Sequence, residues 1–379
     1  NQPPIHIGYS GIFVPPIPPM IKPFEIPAAW DAVTLHRDPS WMIHLTDPHR
    51  VELRSALEFF KDTTHSQGFT AQWLHGNMTP QPANFPLPTL GPLLKQVQTD
   101  LEEKYGLVLL KGTPVSDFSA KELHLLHAGI ASYVGTPRPQ TVFGEMVQDI
   151  KDIGQASLIE RRGSKHNRAL PFHNDPCDAI SFLCIKPALS GGKGLFASSV
   201  AIHNALLNSS PTHVQTLYQD FTNTYQDYLF VRTGMNQDLL PKQRVYAMPT
   251  FSTEQGYFAC KYSRFYIDQA QEIAEVPRLT SHQRQALDAF EGELQNEKWH
   301  LTFEYQPGDV VFVNNFVCFH ARTAFTDDRA NETCRRHLSR IWLSMPNSRP
   351  LSPRYKHYFF QNTEAGAIRG GLPLPEVRY

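Results

Sequence analysis

Apolar residues recur along the chain with two different periods, and the changes of period mark the predicted elements. From Pro92, the residues Leu93, Leu94, Val97 and Leu101 repeat at helical spacing and stop at Gly106. Ser119 followed by Glu122 forms a capping box, which predicts a second helix with Leu123, Leu126 and Ile130 inward. Thr280 and Gln283 open a third, with Ala286, Leu287, Phe290 and Leu294 on one face. A shorter helical pattern, Val51, Leu53, Leu57 and Phe60, lies nearer the N-terminus. Between the helices, short apolar runs read as strands at 107–110, 179–185, 194–198, 244–248, 256–262, 299–305, 310–316 and 336–344. Many short strands broken by Gly and Pro turns, with helices mainly outside them, predict an α+β fold with a sheet core.

The pattern also divides the chain. Residues 1–27 carry eight prolines and read as an extended arm, and 28–90 mix Trp, His and Pro, so 1–90 is expected to be an arm and cap. Residues 91–349 hold the predicted elements of a catalytic domain, and 350–379 are a Pro- and Gly-rich tail. Two polar stretches, 137–169 and 234–243, are long for connections in a compact domain and are expected to wall or cover a site.

Composition narrows the function classes. The net charge of -1 and the short basic clusters argue against a nucleic-acid partner. No apolar run is long enough for a transmembrane helix, and the start Asn-Gln-Pro-Pro shows no leader pattern, so a cytoplasmic protein with no membrane partner is expected. Five scattered cysteines without a C-x-x-C pair fit the same compartment.

The chemistry centres on Pro171-Phe172-His173-Asn174-Asp175. On extended backbone the side-chain period is two, so His173 and Asp175 share a face and can bind one metal. His320, expected to close the apolar run that begins at Val310, is the candidate third ligand. Two imidazoles and one carboxylate on one side of an octahedral ion make the facial triad of non-haem Fe(II) oxygenases, which leaves positions open for cosubstrate and O2. Downstream, Arg336, Leu338 and Arg340 would share one face of a strand. Buried guanidinium groups need anionic partners, and a dicarboxylate such as 2-oxoglutarate would provide one. His124 and His127 also stand at a metal-binding spacing, but no further ligand follows them, so they read as a satisfied or solvent-facing pair.

These residues resemble the TauD/TfdA-like Fe(II)/2-oxoglutarate-dependent dioxygenases. The resemblance rests on four parts in order: His173 with Asp175, the 186–192 turn ending in Gly191-Gly192, the 320–325 segment beginning at His320, and Arg336 with Arg340. It implies a double-stranded β-helix, or jelly-roll, core with helical buttresses. It implies that His173, Asp175 and His320 bind iron, that Arg336 pairs with the distal carboxylate of 2-oxoglutarate, and that Arg340 lies beside the cosubstrate, in reach of an anionic substrate group. The family pattern places Thr or Ser soon after the Gly-Gly turn to assist the arginine. Here that position is Gly194; Ser198 or Ser199 would compensate, or else cap the following helix.

The expected activity is oxidation of an unactivated C–H bond of a small, carboxylate-bearing metabolite, with hydroxylation as the default outcome. Desaturation and ring closure are open to the same chemistry. Two other classes stand beside it: a zinc-dependent hydrolase on the same fold, and a non-catalytic jelly-roll binding protein.

Overall fold

The computed structural model describes residues 21–65, 79–141, 144–154, 166–225, 245–328, 335–356 and 362–372. Most of the expected N-terminal arm, all of the second polar stretch and the centre of the first therefore lie outside the described residues. Two sheets dominate the rest. The larger runs in the order Met42–His44, Leu107–Lys111, Val310–Asn314, Ala179–Lys186, His337–Ser344, with Thr136–Arg138 and Val147–Ile150 both pairing to the last of these. Only its first pair is parallel. The smaller sheet runs His300–Phe303, Gly194–Ser198, Cys318–Arg322, Leu170–His173, all antiparallel.

The alternation of side chains shows how these sheets stack. In the larger sheet Leu107, Leu109, Ile180, Phe182, Val311, Val313, Leu338 and Trp342 enter one apolar layer with Phe196, Leu301 and Cys318 of the smaller sheet. The odd-even partners Val108, Leu110, Leu183, Val310, Phe312, Ile341 and Leu343 face outward onto a helical layer. That layer is built by Asp47–His65, Leu90–Glu103 and Ala120–Ser132. The outer face of the smaller sheet, with Ala197, Phe319 and Ala321, packs on the helices Ser199–Ser209, Pro211–Leu217 and Ser281–Leu294. The order is helices, sheet, sheet, helices, and the layer between the sheets is where the site sits.

Both predicted capping boxes form, at Ser119 with Glu122 and Thr280 with Gln283. Ala286, Leu287, Phe290 and Leu294 are all buried, as their spacing predicts. Leu93 and Val51, though part of the helical patterns, are 37% and 57% exposed, on the outer side of helices whose buried faces are set by Leu90, Leu94 and Val97 in one case and Leu53, Leu57 and Phe60 in the other. The tail is not a free appendage: Leu351, Tyr355 and Leu372 enter the layer between the sheets. Arg369 forms a fully buried ion pair with Asp178 at 2.6 Å, behind the loop that follows His173.

A polar seam crosses the helix-facing side of the larger sheet. His127 is fully buried, with one ring nitrogen at 2.8 Å from the Ser339 hydroxyl and the other at 2.8 Å from that of Ser181. His127 is therefore a satisfied core residue, as the sequence suggests, whereas His124 takes different partners. No helix among the described residues is long and apolar enough to cross a membrane.

Burial pushes the His127 imidazole down to about 3 and the His203 imidazole to about 4. The unfolded chain takes up protons at both from about pH 6.5 downward while the fold refuses them, so this stability is present above that value and lost as pH falls toward 3. Urea titrations are expected to show unfolding free energy dropping through this window by up to about 1.4 kcal/mol per pH unit per group, and His127→Asn should flatten the slope. Arg369→Met would leave the Asp178 carboxylate buried without its cation; a loss of about 3–5 kcal/mol in the same assay is expected.

Candidate active site

His173 ends the strand Leu170–His173 and lies directly across from His320 in the neighbouring strand Cys318–Arg322. Phe172, Phe319 and Ala321 point into the outer layer, so His173 and His320 point into the layer between the sheets. Asp175 follows two residues beyond the strand end. His173 Nε2 is 3.7 Å from Asp175 Oδ1, and His320 Nε2 is 4.0 Å from Asp175 Oδ2. All three offer a ligand atom within 4.8 Å of the others. His320 does not close the apolar run of Val310–Asn314: the chain turns at 315–317 and crosses from the larger sheet to the smaller one, and that crossing brings His320 to His173.

The loop carrying Asp175 is tied down at every polar group that could let it drift. Asn174 Nδ2 donates to the Asn315 carbonyl at 2.7 Å, and its Oδ1 accepts from the Tyr262 amide at 3.0 Å. The Asp175 amide donates to Asn315 Oδ1 at 3.2 Å. Lys261, buried, donates to the carbonyls of Asn174 and Asp175 at 2.7 and 2.6 Å, and burial lowers its ammonium to about 8. Nothing in the sequence near Lys261 signals this contact. Asn315 lies in the flagged stretch before His320, but its role appears only once the two loops meet.

Arg340 and Trp342 lie on one face of the strand His337–Ser344 and both reach Asp175 Oδ2, Arg340 Nη1 at 3.0 Å and Trp342 Nε1 at 2.7 Å. Gln140 Oε1 accepts from Arg340 Nε at 2.7 Å, and Gln140 Nε2 donates to the Arg340 and Met146 carbonyls. Burial by itself would raise the Asp175 carboxyl, but the Arg340 guanidinium, with the Trp342 hydrogen bond, holds it well below the usual carboxylate range. Burial lowers both His173 and His320 below the ordinary imidazole value, which keeps them neutral. Two neutral imidazoles and an ionised carboxylate are the donor set a divalent iron requires. The sequence placed Arg340 on the correct face but gave it to an anionic substrate group. The structure gives it Asp175 and Gln140. Trp342 is a hydrogen-bond donor to the same carboxylate, and Phe172 faces the outer layer.

Arg336 precedes that strand, is buried, and has its Nη1 without a hydrogen-bond partner among the described residues. It stacks on one side of Phe325 at 5.2 Å while Arg322 stacks at 4.9 Å. Burial and the neighbouring Arg336 bring Arg322 down to about 10; burial also lowers Arg336. A buried guanidinium with an unfilled donor fits the distal carboxylate of 2-oxoglutarate. At Gly194 an added Cβ would lie 3.0 Å from Tyr305 Cε2, so the Tyr305 ring holds the space that a Thr or Ser side chain would need. The Tyr305 phenol and the Arg336 guanidinium are within electrostatic reach of each other. Ser198 departs from its expected cosubstrate role: its hydroxyl accepts from the Ala201 amide at 2.9 Å as the cap of Ser199–Ser209 and donates to the Ala28 carbonyl.

Trp342→Phe removes one of the two donors on Asp175 Oδ2 while nearly preserving shape. Fe(II) affinity, measured by titration under anaerobic conditions, is expected to weaken about 10- to 100-fold.

The family model "Taurine catabolism dioxygenase TauD, TfdA family" matches residues 70–342. FR-33289 synthase of Streptomyces rubellomurinus (strain ATCC 31215) is 27% identical over 337 residues, 86% of this chain and 92% of that protein. The taurine hydroxylase-like protein SAT17 of Stachybotrys chartarum (strain CBS 109288 / IBT 7711) is 29% identical over 324 residues, 83% of this chain and 77% of that one. Among solved structures, an asparagine oxygenase in complex with Fe(II), 2S,3S-3-hydroxyasparagine and succinate is similar with a TM-score of 0.59 at 19% identity, covering 80% of this chain and 94% of its own. The non-heme iron oxygenase OrfP with Fe and alpha-ketoglutaric acid gives 0.57 at 15% identity, covering 80% and 93%. With a His-Asp-His set between two sheets, a buried Arg336 whose Nη1 has no hydrogen-bond partner among the described residues, and a family match over most of its length, this chain belongs to the TauD/TfdA family of non-haem Fe(II)/2-oxoglutarate-dependent dioxygenases.

Proposed function

We propose that the protein hydroxylates an unactivated C–H bond of a small, carboxylate-bearing, amino-acid-like metabolite, using Fe(II), 2-oxoglutarate and O2. The observation that carries this reading is the convergence of His173, Asp175 and His320 within one ion's reach, together with a buried Arg336 whose Nη1 has no hydrogen-bond partner among the described residues. The two stacked sheets support a jelly-roll core around that site. Buried free cysteines at 177, 184, 260 and 318 support a reducing, cytoplasmic setting.

His173, Asp175 and His320 would hold the iron, and Arg336 the distal carboxylate of 2-oxoglutarate. When bound, iron and 2-oxoglutarate together supply the oxidising power for C–H cleavage with O2, releasing succinate. The chain's own residues position and exclude. Arg340 and Trp342 fix one oxygen of Asp175, so the carboxylate meets the metal in one orientation. Gln140 fixes Arg340 in turn. Phe182, edge-on to His320 at 5.5 Å, and the apolar layer behind it keep water from the sheet side. Tyr305 would take the part of the hydroxyl missing at Gly194, keeping its phenolic proton and donating a hydrogen bond to a carboxylate held by Arg336. The amino-acid preference draws on the two similar structures, crystallised with a hydroxylated asparagine and, in another complex, with (3S)-hydroxy-L-Arg.

The first test is succinate release from purified protein with Fe(II), ascorbate, 2-oxoglutarate and O2, screened over amino acids and other small acids. Stimulated release by wild type and none by His173→Ala is expected; equal release from both would exclude this site. Arg336→Ala is expected to weaken 2-oxoglutarate binding by about 2–5 kcal/mol. Tyr305→Phe should cost about 1.5 kcal/mol, roughly tenfold, with Fe(II) affinity unchanged. Both are read by calorimetric titration of 2-oxoglutarate, and unaltered affinity in Tyr305→Phe would leave Gly194 without a replacement.

A further inference from the structure

Away from the iron site, three side chains from three separate elements converge at the rim of the helix-facing side of the larger sheet. His124 comes from the helix Ala120–Ser132, Asp149 from the strand Val147–Ile150, and His337 from the first residue of His337–Ser344. His124 Nε2 and His337 Nε2 lie 2.7 and 2.6 Å from the same atom, Asp149 Oδ1. The sheet register dictates this. Asp149 pairs with Ser339, and His337, two residues earlier in the strand, shares its face. The helix lies across that face, where His127 reaches Ser339 and His124, one turn before it, reaches Asp149.

The two helical histidines are chemically unlike. His127 is enclosed and both its nitrogens are occupied by serine hydroxyls, so it has nothing to offer a ligand. His124 instead meets a carboxylate and a second imidazole, and the side chains of the three residues remain 18–26% exposed. That exposure is enough for an ion to enter and for water to complete its shell, while three rigid elements hold the donors in place. The three ligand atoms lie within 4.8 Å of one another, the compass of one ion bound at about 2.0–2.2 Å. Burial pushes the Asp149 carboxyl up, but the hydrogen bonds from His124 and His337 more than reverse this and keep it ionised. Lys151 opposes a cation here, with Nζ 3.2 Å from Asp149 Oδ2.

We propose that His124, Asp149 and His337 form a second metal site, distinct from the iron site, for a divalent ion of the zinc class. Two imidazoles with one carboxylate suit such borderline ions, whereas magnesium and calcium prefer oxygen donors throughout. The site stands apart from the proposed oxygenation and does not depend on it. Because His337 directly follows Arg336, a metal here pins the entry of the strand that carries Arg340 and Trp342 to the helix outside it.

The test is metal stoichiometry on untagged protein, by equilibrium dialysis against zinc with elemental analysis. Wild type is expected to hold two zinc ions per chain. One should remain in the doubly substituted His124→Asn, His337→Asn protein, and one, at the rim, in His173→Ala, His320→Ala. Removal of the competing ammonium in Lys151→Met should tighten the rim site severalfold, a gain that no loss of folding can mimic. A single zinc in wild type, lost with His173 and His320, would overturn the proposal and leave the rim cluster a hydrogen-bonded triad only. Unchanged affinity in Lys151→Met would overturn it as well.

Discussion

A carboxylate buried between two sheets is costly unless it is paired, and the arrangement of this protein follows from how Asp175 is paired. Arg340 and Trp342 take one of its oxygens, and the histidines face it from two strands of the opposite sheet. Each of those partners is itself held. Gln140 ties Arg340 to the chain before Val147–Ile150, while Asn174, Asn315 and Lys261 fix the backbone on which Asp175 sits. The carboxylate thus stays ionised in an enclosed place, and its orientation is set before any metal arrives.

The same balance operates with reversed sign at the start of the segment that leads into His337–Ser344. Arg322 and Arg336 share the faces of Phe325, so two guanidinium groups are held close together out of water. Burial and the neighbouring Arg336 lower Arg322, and Arg336 Nη1 has no hydrogen-bond partner among the described residues. Gly194 and Tyr305 form one unit in this respect. A side chain at 194 would crowd the Tyr305 ring, whose edge lies 3.0 Å from where its Cβ would stand.

Described residues of the tail support the chain around the site. Arg369 is enclosed against Asp178, Gly371 donates its amide to the Pro176 carbonyl, and Leu372 donates to that of Pro139. These contacts brace both the loop after Asp175 and the segment that carries Gln140. On sequence alone residues 350–379 read as an appendage, because Gly and Pro report a lack of regular structure and say nothing about burial.

What the sequence determined by itself was local. His173 and Asp175 share a face because extended backbone has a period of two, and the capping boxes at Ser119 and Thr280 form because their partners lie within one turn. The composition and order of the four motifs were enough to identify the chemistry. Tertiary structure decided which groups those residues meet. The sheet crossing at 315–317 placed His320, the register of His337–Ser344 against its neighbours turned Arg340 onto Asp175, and helix placement left Leu93 and Val51 outside. Ser198 became a cap and Tyr305 a neighbour of Arg336 for the same reason. Side-chain period along one strand is a property of the backbone, whereas the partner across a gap depends on packing of segments far apart in the chain, which no single stretch encodes.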